Sequence, residues 1–391
     1  MKVVVDVKKI LFVLNGFRFG GLTKVNTVIA NELNECYDVA IYNTSHRNKP
    51  AFPVKVPVYQ ERYLFGHKTY FFTRLLKKVS QHTKLQINPN KLEYYRISKL
   101  IQYIQEKDID VIILNTSQIT YASKIKERVS GVTVIGWLHN NADVYLNKFF
   151  RGFRKHFIEA VNVCDFLVCL TRSDALSFKK YTNHAVCIYN PATMSPTTLA
   201  DLNKKMISFV GRIDIKQKGI DYLCEIAKDI PDDWKISVAG PGKKRHKKVF
   251  EKLQSIYETS GKLEYVGALR GHKLNRHYEE SSIFMMTSRW EGMPLVLMEA
   301  MSFGLPIIAF EQSGSNEVLD FGKSGLLVKQ GSIEHFNREL KRLIDDYQLR
   351  VAYSKASLER VKHFEMESIL EKWHQMISRG VNDDIYNYGR W

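Results

Sequence analysis

The sequence predicts an α/β protein of two doubly wound lobes, and three observations carry that expectation. Short β-branched runs alternate with helical-period segments along the chain. Its 391 residues exceed the roughly 100–200 of one ordinary domain. A polar, proline-bearing stretch divides it near the middle.

Taken in order, the first half carries ILFVLN (10–15), DVAIY (38–42), DVIILN (110–115), VTVIGW (132–137) and DFLVCL (165–170). The second half carries ISFVG (207–211), KISVAG (235–240), IFMMTS (283–288) and LPIIAF (305–310). Nearly continuous apolar strands with helices between them describe parallel sheets covered on both faces. Between the halves, NPATMSPTTLADLN (190–203) has the prolines and small polar residues of a linker. The expected organisation is a first lobe over 1–190, a linker over 191–203, a second lobe over 204–365, and a helix and tail over 366–391 packing back on the first lobe. In FEMESILEKWHQMI (364–377), Ile369, Leu370, Trp373 and Ile377 fall near one helical face. The tail VNDDIYNYGRW adds three aromatics, which points to packing. Ligands of doubly wound sheets bind beyond the carboxyl ends of the strands, so two such lobes predict a site in the cleft between them.

Composition narrows the class. With 45% hydrophobic and 25% charged residues, the chain reads as globular rather than disordered. The five cysteines lack the close spacing of a zinc or redox motif and fit reduced thiols in a cytosol. Asp6, Lys8 and Lys9 interrupt the apolar N-terminus, and no apolar run reaches the length of a membrane span. The formal charge of +17 is concentrated in residues 1–190, which hold 28 Lys and Arg against 14 Asp and Glu. Such a field attracts nucleic acid, anionic lipid or phosphorylated substrates, and charge alone does not choose among them.

Three segments carry chemistry. In NGFRFGGLTKVNTVIANEL (15–33) a strand ends and Gly20 and Gly21 open a helix, where a phosphate can approach the backbone and unpaired N–H groups; a tight turn explains the same glycines. In FVGRIDIKQKGIDYL (209–223) Arg212 and Lys218 lie in the loop after a strand. A guanidinium can hold two phosphate oxygens while an ammonium neutralises a third. Lys216 competes for the lysine's role, and solvated loop cations are the bland alternative. In SRWEGMPLVLMEAMSFGLPIIAF (288–310) Glu291 falls in a loop, Pro294 suits a first helical turn, and Glu299 lies on the helix. A nucleotide can span this stretch, with phosphates near the helix start and one carboxylate accepting ribose hydroxyls.

The segments GRIDIKQKG (211–219) and SRWEGMPLVLMEAMSFGLPIIA (288–309), with YNP (189–191) between the lobes, resemble the retaining glycosyltransferases of family 4. Their Glu-x7-Glu element is matched by Glu291 and Glu299. The similarity covers most of residues 188–345 and is thinner in the first half, where Gly20-Gly21 and WLHNN (137–141) are the recognisable pieces. The resemblance implies the GT-B fold and transfer of a hexose or similar sugar from a nucleoside diphosphate, expected to be UDP, with retained configuration. It implies that Arg212 and Lys218 hold the diphosphate and that Glu299 takes the ribose. Glu291, with Gly292, Met293, Pro294 and Leu295, would face the sugar. His139 would lie near sugar and acceptor, and Gly20-Gly21 near the phosphate. His139 is followed by Asn140-Asn141 where an acidic residue is often found, and the Arg-to-Lys interval is one longer than in many members.

Sugar transfer builds positive charge on the ring and negative charge on the departing diphosphate. Arg212 and Lys218 would stabilise the latter, a task a divalent metal performs elsewhere. The Asp108-Ile109-Asp110 element reads as a helix-to-strand turn, so neither metal nor resident cofactor is expected. A glycosidase, a nucleic-acid binder and a sugar-nucleotide epimerase are the rival classes, the epimerase being the alternative of the same fold. No aromatic-interleaved basic module supports nucleic-acid binding. The acceptor is expected to be a glycan or lipid-linked. In YFFTRLLKKV (70–79) Arg74, Lys77 and Lys78 interleave with apolar residues, as in a segment lying on an anionic membrane from the cytoplasmic side. An ordinary surface helix accounts for the same pattern.

Overall fold

Apolar runs too short for helices become strands when neighbouring segments can satisfy their backbone, and here they assemble into two parallel sheets. The computed structural model describes residues 7–45, 49–60 and 93–379. The chain divides into two units: Met1–Tyr189 together with Ile369–Trp391, and Asn190–Ser368. The segment 70–79 and the tail after Arg379 lie outside the described residues.

The first unit holds β1 (Lys9–Leu14), β2 (Asp38–Asn43), β3 (Val58–Gln60), β4 (Val111–Asn115), β5 (Thr133–Trp137), β6 (Phe166–Cys169) and β7 (Ala185–Cys187), in the order β3-β2-β1-β4-β5-β6-β7. Every pairing is parallel; on β1, Ile10 faces Val39 on one side and Val111 on the other. Residues Ile10 to Leu14 are fully buried, as expected where helices cover both faces. The chain winds outward from β1 to β3, then returns to place β4 on β1's other side. That reversal between β1 and β4 is the switch point where such sheets bind ligands.

The final helix, Met366–Arg379, joins the first unit from Ile369 onward. Ile369, Trp373, Met376 and Ile377 form its buried stripe, and Trp373 meets Trp137 edge-on at 4.8 Å. Leu370 is only half-buried. It sits one residue, about 100°, around the helix from Ile369, and Met376 completes the stripe instead.

The second unit holds β8 (Met206–Val210), β9 (Lys235–Ala239), β10 (Leu263–Gly267), β11 (Ile283–Met286), β12 (Ile307–Phe310) and β13 (Leu326–Val328), ordered β10-β9-β8-β11-β12-β13 and again all parallel. Its switch point lies between β8 and β11. A core of Ile207, Phe209, Val238, Met285, Ile308 and Phe310 fills one face of the sheet against Leu223, Ile226, Phe336 and Leu340 from the helices. Among the described residues no helix is long and apolar enough to cross a membrane.

Candidate functional site

In the second unit the functional groups follow the carboxyl ends of β8 and β11, on both sides of the switch point. After β8, Asp214 caps the one-turn helix Ile215–Lys218, accepting the Gln217 N–H at 3.1 Å. Gly219 ends that turn at φ 63°, and a Cβ there would stand 2.1 Å from the Thr287 carbonyl oxygen. Only glycine therefore lets the β8 loop lie against the end of β11. Thr287 Oγ1 donates to the Lys218 carbonyl at 2.8 Å and fixes the contact.

The approach brings charges together. Lys218 Nζ lies 2.6 Å from Glu291 Oε1, with the two side chains 13% and 11% exposed. Gln217 Nε2 donates to the Trp290 carbonyl at 3.3 Å and reaches Glu291 Oε2 at 3.4 Å. Arg212 Nη2 donates to Gln217 Oε1 at 2.6 Å. Arg212, Gln217, Lys218 and Glu291 thus form one chain of polar contacts, whereas Lys216 points to solvent as an exposed residue. Arg289 braces the same loop, binding both carboxylate oxygens of Asp221 at 2.9 and 2.6 Å and stacking on Tyr222.

Glu291, Gly292, Met293, Pro294 and Leu295 are buried. Pro294 is the N-cap of the helix Leu295–Ser302, and Met293 Sδ accepts the Asn190 N–H at 3.2 Å. Glu299, on that helix and 6% exposed, accepts a hydrogen bond from the Tyr278 hydroxyl at 3.0 Å. Burial, with the Glu299 charge beside it, pushes the Tyr278 phenol well above its ordinary range, so it remains a donor. The neighbouring His277 is held between Ser208 Oγ at 2.8 Å and Ser237 Oγ at 3.3 Å, and burial lowers its pKa to about 4. Sequence spacing did not single out Gln217 or Tyr278. Gln217 was legible as a loop residue beside Lys218, but Tyr278 meets Glu299 only through the fold.

In the first unit, Gly20 is the N-cap of the helix Gly21–Leu33, which has no side-chain cap and no acidic residue in its first turn. A Cβ at Gly20 would meet nothing within 4 Å, so the protein itself leaves that position open. His139 follows β5, and its Nε2 lies 2.6 Å from Asn115 Oδ1 at the end of β4. Asn115 Nδ2 donates to the Val13 carbonyl on β1 at 3.2 Å, which turns its oxygen toward the histidine. Asn26 Nδ2 lies 3.2 Å from the same Nε2, so that ring nitrogen sits between an amide oxygen and an amide nitrogen. Burial lowers the His139 pKa to about 3, so the ring is neutral at physiological pH. Its backbone N–H donates to the Tyr145 hydroxyl at 2.9 Å. Asp110, the second acid of the Asp108-Ile109-Asp110 turn, accepts the Lys9 N–H at 2.7 Å and so ties that turn to β1.

Residues 192–360 match the family described as Glycosyl transferases group 1. An "Uncharacterized glycosyltransferase" of Haemophilus influenzae is 30% identical over 94% of this chain and 99% of its own length. A Campylobacter jejuni relative is 23% identical over 96% of this chain and 99% of its own length; its name is GalNAc-alpha-(1->4)-GalNAc-alpha-(1->3)-diNAcBac-PP-undecaprenol alpha-1,4-N-acetyl-D-galactosaminyltransferase. Among solved structures, sucrose-phosphate synthase of Thermosynechococcus elongatus superposes with a TM-score of 0.76 at 16% identity, covering 95% of this chain and 98% of that one. Anabaena HepE, in complex with UDP and glucose, gives 0.72 at 16% identity, covering 95% and 99%. These likenesses identify the two sheets as the GT-B fold.

Proposed function

We propose that this chain, which belongs to the group 1 glycosyl transferases, moves a sugar from a UDP-sugar to a glycan or lipid-linked acceptor in cell-surface polysaccharide synthesis. The observation that carries this reading is the contact chain Arg212–Gln217–Lys218–Glu291, built from the two loops that flank one switch point. Two cations and a carboxylate at that place suit a leaving diphosphate and a ring that turns cationic. Arg212 and Lys218 take the diphosphate, Glu291 and the 292–295 backbone face the sugar, and Glu299 takes the ribose. His139 is neutral, so it offers a hydroxyl a hydrogen bond rather than a charge.

In this reading transfer proceeds with retention and without a metal, because the two cations supply the charge stabilisation. The UDP and glucose of the Anabaena structure favour a UDP-sugar, and the PP-undecaprenol in the Campylobacter relative's name favours a lipid-linked acceptor. Such an acceptor fits an enzyme working from the cytoplasmic face of a membrane, with the basic first half toward anionic lipid. The family match favours transfer over the epimerase alternative.

A screen of nucleotide sugars for thermal stabilisation tests the donor. A ligand at 100 times its dissociation constant adds about 2.7 kcal/mol, so one UDP-sugar should raise the melting temperature by several degrees. Stabilisation by no nucleotide sugar would overturn the reading.

A further inference from the structure

Gln312 stands two residues beyond β12, and its Oε1 accepts the backbone N–H of Glu291 at 2.7 Å. That bond decides the orientation of the amide, because only the oxygen can face an N–H. The amide nitrogen is therefore turned away from the Glu291 backbone. It is buried and has no hydrogen-bond partner among the described residues.

The surroundings hold it there. The Gln312 N–H donates to Ser315 Oγ at 3.1 Å, and Ser315 Oγ donates to the Phe310 carbonyl at 2.6 Å. Gly314 approaches the Glu291 loop so closely that a Cβ would stand 2.5 Å from the Gly292 oxygen. Buried donors without acceptors are rare in folded proteins and call for an explanation. Ser288 Oγ and Ser313 Oγ, beyond the ends of β11 and β12, are also buried without partners. Three unsatisfied polar groups thus gather at the carboxyl ends of neighbouring strands, where ligands of this fold class bind.

The strand order indicates which part of the ligand they meet. Arg212 and Lys218 follow β8, Glu291 follows β11, and Gln312 follows β12, on the side of β11 away from β8. We infer that Gln312 is a specificity-determining contact whose amide nitrogen donates a hydrogen bond to a hydroxyl oxygen of the transferred sugar. This rests on the donor-site reading above. An amide donor at a fixed place selects sugars that present an oxygen there and leaves the nucleotide end untouched.

The test uses Gln312→Met and Gln312→Glu. The glutamate keeps an acceptor for the Glu291 N–H but removes the donor. UDP affinity is measured by calorimetry, and donor KM and kcat are measured with UDP-glucose, UDP-galactose, UDP-N-acetylglucosamine and UDP-N-acetylgalactosamine. Both variants should bind UDP within about twofold of the wild type, while kcat/KM for the preferred donor falls about tenfold and its preference over the other three sugars narrows. An equal loss of UDP and donor affinity would assign the amide to phosphate and overturn the inference. Full activity and selectivity in Gln312→Glu beside loss in Gln312→Met would reduce the residue to a support for Glu291 and overturn it too. Wild-type protein that neither binds UDP nor uses any of the four donors would refute the donor-site reading, and this inference with it.

Discussion

At the first unit's switch point stand three neutral groups: an uncapped helix start at Gly20-Gly21, the Asn115 amide, and a histidine whose pKa is lowered to about 3. At the second unit's switch point, in an equivalent strand order, they are ionised: Lys218 against Glu291, with Arg212 joined through Gln217 and Arg289 clamped to Asp221. The strand order makes a place for a ligand; the loops decide its chemistry. Neutral groups can be enclosed with only hydrogen bonds to satisfy them, whereas an enclosed ammonium needs a counter-charge. On the proposed function, the second unit's groups suit a charged ligand fragment and these groups of the first suit hydroxyls.

The largest expected effect attacks the ionised side. Lys218→Met leaves the 11%-exposed Glu291 carboxylate without its cation, and breaking such a pair costs about 3–5 kcal/mol. On the proposed role of Lys218 at the diphosphate, transfer should fall about 100-fold or more. Adding Glu291→Gln should restore most of the stability in urea unfolding and none of the transfer. An unchanged urea midpoint for Lys218→Met would mean that the pair is not enclosed as described.

A smaller effect sharpens the ribose side. Tyr278→Phe removes the hydroxyl that orients Glu299 while keeping the ring, which stacks on Phe303 at 5.0 Å. UDP affinity should fall about tenfold, and discrimination against 2′-deoxy-UDP should weaken with it. Unaltered discrimination would detach Tyr278 from nucleotide recognition.

The smallest concerns acid. His277 has a folded pKa of about 4, lowered by burial from an ordinary value near 6.5. Between those values the unfolded chain binds the proton and the folded chain does not. The stability contribution is thus full above about pH 6.5 and falls as pH drops toward 4, by about 1.4 kcal/mol per pH unit for that group. His139 acts in the same direction. Urea unfolding at pH 7.5 and pH 5 checks the sign, and equal midpoints would show that neither ring is held neutral.

How much of this was legible in the sequence depended on burial. The nine apolar runs are all strands, and among the described residues the four strands without such a run, β3, β7, β10 and β13, are the four sheet edges. An edge strand has one neighbour and meets solvent: β3 is exposed at all three residues, and β10 alternates exposed positions with buried or half-buried ones. Continuous apolarity therefore marks central strands and fades at the rim. The placement of Glu291 in a loop and Glu299 on a helix followed from proline and glycine positions. The choice between Lys216 and Lys218 did not, since three residues on one loop can turn either way until Gly219 sets the turn. Gln312 and Tyr278 lie 21 residues from their partners Glu291 and Glu299, and only the parallel register brings them together.

The contrast between the units is tested most directly by titrating UDP into wild-type protein, Lys218→Met and His139→Ala. Ionised groups at the second unit's switch point and neutral ones at the first predict that Lys218→Met binds UDP about tenfold more weakly or worse, while His139→Ala stays within about twofold of the wild type. Full UDP affinity in Lys218→Met, with loss confined to His139→Ala, would contradict it.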